Sequence, residues 1–88
     1  MNFYDWLDTL NLELEITRYP NQENRFCASI KEAEFKDYLG DGLLQSLYGD
    51  GTEPSTAIVM FSKRIEGKVL VLDKRGKDRI TFTVPKFQ

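Results

Sequence analysis

The residues best suited to chemistry are a run of cations: Lys68, Lys74, Arg75, Lys77 and Arg79, the last four within six positions around Gly76. Guanidinium and ammonium groups gathered on one tip make charge-assisted hydrogen bonds to phosphate or carboxylate oxygens, and such contacts weaken as salt rises. The expected ligand is a discrete anion, either a small nucleotide or an acidic patch on a protein. The whole chain has a formal net charge of -2 and an isoelectric point near 5.1, unlike most domains that bind duplex DNA. The same cations could instead keep a sheet edge soluble and unpaired, and both readings stand at this level.

Other chemistry is poorly supplied. The 88 residues contain no histidine, and Cys27 is the only cysteine. Cysteine/histidine zinc sites, Ser-His-Asp triads and an intramolecular disulfide are excluded, and no partner is present to activate the thiol. Glu32, Glu34, Asp37 and Asp41 form an acidic run, but without the alternating spacing of a calcium loop. We expect a solvated edge there and no metal. Gly49-Asp50-Gly51 ahead of a helix start suggests a phosphate loop, but the Gly-Lys-Ser/Thr ending is missing and Asp50 and Glu53 would repel phosphate. A tight turn is the expectation. No enzyme activity and no cofactor are expected.

The charge is unevenly spread. From Lys63 onward eight basic residues face three acids, whereas the preceding 62 residues hold four basic and eleven acidic ones. One end of the chain can present a cationic surface and the other an anionic one.

The elements that must position these residues follow from hydrophobic spacing. Phe3, Trp6, Leu7 and Leu10 lie on one face of a short helix capped by Asn2. Leu12 to Thr17 alternates as a half-buried strand with Leu12, Leu14 and Ile16 inward, and Arg25 to Ile30 alternates again with Phe26, Ala28 and Ile30 inward. The apolar phase then flips from even to odd numbers at Ala33 and Phe35, which requires a bulge or bend near Lys31-Glu32. Leu43 to Tyr48 reads as a third strand. Thr52 to Glu66 is the long helix, with Thr52 as N-cap, Pro54 in its first turn, a stripe of Ala57, Ile58, Phe61 and Ile65, and Gly67 as its stop. Val69 to Leu72 is continuously apolar, as in a strand covered on both faces, and Ile80, Phe82 and Val84 alternate before Pro85. The expected fold is a single α+β domain over residues 1–88: an antiparallel sheet packed against one long helix, with a short N-terminal helix.

Tyr48-Gly49-Asp50-Gly51-Thr52-Glu53-Pro54, then Ala57-Ile58 and Ile65, set within a β-β-β-α-β-β order, resembles the HicB-like fold, and the stretch from Ile65 through Val71 to Val84-Pro85 resembles small uncharacterised proteins of bacteriophages and prophages. HicB proteins are antitoxins that neutralise a small ribonuclease and usually carry a second, DNA-binding region. The last expected strand lies close to the end of the chain, so neither a DNA-reading segment nor sequence-specific DNA binding is expected. The resemblance implies a phage accessory protein that acts by binding, antagonising a host defence component by occluding a protein or sequestering a nucleotide signal. The alternative it implies is a HicB-like antitoxin fragment that inhibits a ribonuclease toxin. No apolar run approaches the ~20 residues of a membrane-spanning helix, and the expected location is the bacterial host cytoplasm. A homodimer or higher homo-oligomer is expected, because one long helix covers one sheet face well and Tyr4, Tyr48 and Phe87 add aromatic surface.

Overall fold

Asn2 starts the first helix by accepting the Asp5 N–H on its side chain at 2.8 Å. In the computed structural model, which describes residues 1–22, 25–37, 43–72 and 80–87, this helix, α1, spans Phe3–Leu10. Asn11 ends it in the left-handed region at φ 55°, which lets the Leu12 N–H bond back to the Leu7 carbonyl. Phe3, Trp6 and Leu7 are its buried face, as their spacing requires.

Strand β1 (Leu14–Arg18) pairs antiparallel with β2 (Phe26–Ile30), Leu14 opposite Ile30. The expected phase break then appears as a change of sheet. Glu32 takes a left-handed φ of 58°, and the chain emerges as β3 (Ala33–Lys36), which pairs with a different partner. A non-glycine residue at positive φ is uncommon, so this bend is a built feature of the chain path. Because the strand is split there, four strands rather than three precede the long helix.

The expected third strand over Leu43–Tyr48 does not form. Gln45 makes one isolated bridge with Phe35, through reciprocal hydrogen bonds of 2.8 and 2.7 Å, and Leu47 contributes a buried side chain. The strand that does form is β4 (Gly49–Gly51), the segment expected to be a turn. It pairs antiparallel with β2, Ala28 opposite Gly49 and Phe26 opposite Gly51. Helix α2 (Pro54–Ile65) packs directly on β4 and β2. Pro54 sits in its first turn as expected, but Glu53, not Thr52, is the N-cap and makes no side-chain cap bond. Its buried residues are Ala57, Phe61 and Ile65. Gly67, at φ 78°, turns the chain out of the helix.

Strands β5 (Val69–Leu72) and β6 (Ile80–Thr83) complete a second sheet. The architecture is α+β, with two helices and two three-stranded antiparallel sheets, ordered β1-β2-β4 and β3-β5-β6, where one sheet was expected. Val69, Leu70 and Val71 are all buried, as expected of a central strand covered on both sides. Ile16 departs from its expected inward position and stays exposed, because β1 is the far edge of its sheet and α2 lies over β2 and β4. At the centre, Phe61 is 0% exposed and meets Phe3 and Phe35 edge-to-face at 6.0 and 6.1 Å. One ring thus joins α1, α2 and the second sheet. Phe87 packs on Phe3 and Trp6, and its N–H donates to Glu66. No helix among the described residues is long and apolar enough to cross a membrane.

Candidate functional site

Of the five expected binding cations, Lys68 is described and Lys74, Arg75, Lys77 and Arg79 lie outside the described residues. Lys68 stands just before β5, and its Nζ is 2.6 Å from Asp37 Oδ1 beyond the end of β3. Its ammonium holds the Asp37 carboxyl below the ordinary carboxylate range, by hydrogen bond first and charge second. Lys68 therefore clamps two neighbouring strands of one sheet. Asp37 belongs to the acidic run, in which Glu32 forms the bend and Asp41 lies outside the described residues. No cluster of metal-ligating side chains occurs among the described residues.

The Gly49-Asp50-Gly51 segment is built for close packing. A Cβ added at Gly49 would fall 2.5 Å from the Ala57 carbonyl oxygen and 2.6 Å from the Phe61 Cα, with the Phe61 nitrogen closer still. A Cβ at Gly51 would fall 2.5 Å from the Ala57 nitrogen. All of these are helix backbone atoms that no rotamer change can move. The glycines let α2 lie on the strand backbone itself, which is why a segment of poor strand formers is a strand.

Asp50, between them, points its side chain to the opposite face. There its carboxylate accepts from the Tyr19 hydroxyl at 3.0 Å and from Arg25 at 3.4 Å, while the Arg25 guanidinium lies 5.3 Å from the centre of the Tyr19 ring. The hydrogen bond to Asp50 is the main reason the Tyr19 hydroxyl is pushed up to about 12, with desolvation and the Cys27 thiol adding to it. Tyr19 holds its proton more tightly than a free tyrosine, so this cluster braces the sheet and does not poise an acid or base. Cys27 is half-buried opposite Asp50 in the β2–β4 register.

Around the edge of β4 the surface opens into a groove of about 410 Å³ lined by Tyr48, Gly49, Asp50, Met60, Lys63 and Arg64. Met60, Lys63 and Arg64 stand at i, i+3 and i+4 on α2, so they share one helix face, off the buried Ala57-Phe61-Ile65 stripe. Arg64 donates to the Tyr48 carbonyl at 3.1 Å and its guanidinium lies 5.5 Å from the centre of the Tyr48 ring. Tyr48 is 42% exposed and Met60 51% exposed, and Val59 extends this apolar surface along the helix. Asp50 is already answered by Arg25 and Tyr19, so the net charge on the groove comes from Lys63 and Arg64.

The arrangement offers an aromatic plate and a thioether for apolar contact, two cations, and the backbone of a sheet edge. Sequence reasoning missed it. Lys63 and Arg64 look like complements of the helix dipole, and nothing local reveals that Tyr48 lies under Arg64. The available signal was the i, i+3, i+4 spacing of Met60, Lys63 and Arg64 outside the apolar stripe. Comparison with known proteins found no matching family model, no matching curated protein and no matching solved structure.

Proposed function

We propose that the protein works by binding, and that its β4-edge groove takes an acidic protein segment carrying an apolar anchor. The observation that carries this reading is the pre-set Tyr48–Arg64 stack beside Lys63 and Met60. Arg64 is already ordered by its bond to the Tyr48 carbonyl, so little side-chain entropy is lost when a carboxylate docks on its remaining N–H groups. A protein segment suits the groove better than a nucleotide does. Small ligands are held in sites that bury 70–90% of their surface, whereas this groove is open and continues into the exposed Val59 and Met60.

The biological setting of the proposal comes from the resemblance of the stretch from Ile65 to Pro85 to small phage proteins: a phage accessory protein that, in the host cytoplasm, covers an acidic surface of a defence component. The sign of the groove favours this over an antitoxin role. A ribonuclease cleft is cationic to receive its substrate, so an inhibitor seated there presents acids, and Lys63 and Arg64 have the opposite charge.

The test is a residue-resolved titration. An Asp/Glu-rich peptide containing one leucine should shift the amides of Tyr48, Gly49, Asp50 and the last two turns of α2, and the shifts should shrink as salt rises. A nucleotide added to a parallel sample should leave those amides in place. Binding by the nucleotide and not the peptide would reverse the choice of ligand.

A further inference from the structure

We propose that the outer edge of β6 is a self-association surface, pairing antiparallel with β6 of a second copy of the chain. The phase of the ladder sets which groups face outward. The Val84 N–H bonds to the Lys68 carbonyl at 2.8 Å, and the β5–β6 register continues from that pair through Leu70 opposite Phe82 to Leu72 opposite Ile80. Hydrogen-bonded pairs alternate in an antiparallel ladder, so Ile80, Phe82 and Val84 bond inward to β5 while Thr81 and Thr83 turn their N–H and C=O groups away from it. The other side of the sheet gives the same phase. Phe35 directs its backbone outward to Gln45, which leaves Glu34 and Lys36 to bond Val71 and Val69, and hence Leu70 and Leu72 to bond β6.

The other sheet edges are protected. The outer edge of β3 is met by Gln45. The β1 edge carries Glu15 and Arg18 and is flanked by the Glu13–Lys31 ion pair, and β4 is only three residues long. Strand β6 reads Ile-Thr-Phe-Thr, uncharged along its own four residues, with Ile80, Thr81 and Thr83 exposed and Ile80 47% so. Native proteins normally blunt an edge of this kind unless it has a partner.

A second copy fits this edge through its symmetry. A two-fold axis at Phe82 sets Thr81 against Thr83 of the second copy, so each outward N–H meets an outward carbonyl in both directions. On the face that β6 shares with Leu70, the partly buried Phe82 then meets Phe82 of the second copy, an apolar cross-strand pair, with the exposed Ile80 at the rim. The register is pinned at one end. Pro85 occupies the next outward position and has no N–H, so a slip that sets Thr81 against Pro85 forfeits a donor. An edge this short falls below the roughly 1,200–2,000 Å² of a stable interface, so the dimer forms reversibly with concentration.

Sedimentation equilibrium from about 10 μM to about 1 mM tests this, since that range spans the affinities of weak complexes. The apparent mass should climb from 10.2 kDa toward twice that value. Replacing Thr81 and Thr83 together by lysine, which sets like charges across the axis, should weaken association at least tenfold. Amide exchange on the wild-type chain supplies a readout that no variant's folding can confound: the Thr81 and Thr83 amides should become protected as concentration rises. A mass that stays at 10.2 kDa, or a dimer in which these two amides exchange freely, would overturn the proposal.

Discussion

Gly49→Ala adds one methyl group at the place where strand and helix backbones are closest. Elsewhere the change would raise stability by about 0.4–1 kcal/mol, by restricting the unfolded chain. Here the new Cβ meets the Ala57 carbonyl oxygen at 2.5 Å and the Phe61 Cα at 2.6 Å, against about 3.5–4.0 Å for an unstrained contact. Helix α2 must therefore retreat from β4 by about 1 Å, and a gap of that size forfeits a quarter to a half of each dispersion well it opens. The side chains that lose contact are Ala57, Phe61 and Ile65, each 0% exposed. Overpacking costs about 1–3 kcal/mol, and the loosened helix face takes the expected loss to about 3 kcal/mol or more. A chain of this length has a total stability of about 4–13 kcal/mol. The melting temperature should fall by about 12–24 °C, taking 4–8 °C per kcal/mol for a small domain. Thermal and urea unfolding followed by circular dichroism measures this directly. Gly67→Ala is the control: its Cβ meets nothing within 4 Å, so only the positive φ penalises it. If Gly49→Ala melts within two or three degrees of the parent, close backbone packing is not what the Gly-x-Gly segment provides.

Phe61→Ala should cost about 3–5 kcal/mol in the same unfolding assays, since the ring is fully buried between Phe3 and Phe35. The Tyr19 hydroxyl should ionise above the ordinary tyrosine range, because its hydrogen bond to Asp50 holds the proton. Its raised pKa contributes stability that is complete below about 10 and is lost as pH climbs through about 12, and Asp50→Ala should return its tyrosinate absorbance step toward about 10. Asp37 has the opposite sign: its depressed pKa contributes stability present above about 3.9 that is lost as pH falls through the lower folded value, so Lys68→Met should flatten the acid limb of an unfolding-versus-pH curve.

What the sequence revealed was what local spacing controls. The Asn2 cap, the buried face of α1, the doubly covered β5 and the break at Lys31-Glu32 all follow from side-chain period and phase, which act over a few residues. The break was legible as a bend, but its consequence was not. Whether a bent strand continues in one sheet or crosses into another depends on which distant strand offers an edge, here β5 for β3. Gly49–Gly51 was misread for a related reason. Two glycines around an aspartate signal a turn by propensity, and only the approach of α2 makes a strand there favourable. Thr52 has the right chemistry for a cap, yet the helix begins one residue later because Pro54 fixes the first helical position. The groove was hidden because Tyr48 and Arg64 meet across sixteen positions of chain.

The central claim is that Lys63 and Arg64, set against Tyr48 and Met60, receive an acidic segment. Calorimetry with the leucine-containing Asp/Glu-rich peptide, comparing wild type with the Lys63→Glu, Arg64→Glu double variant at low and physiological salt, tests it most directly. Hydrogen bonds to charged groups contribute about 1.5–3 kcal/mol, so losing even one should weaken binding by about tenfold or more. Both side chains are exposed, so the melting temperature should move little, apart from the lost Arg64 bond to the Tyr48 carbonyl. Wild-type affinity in a folded double variant, or an affinity that ignores salt, would contradict the assignment of this groove as the binding site.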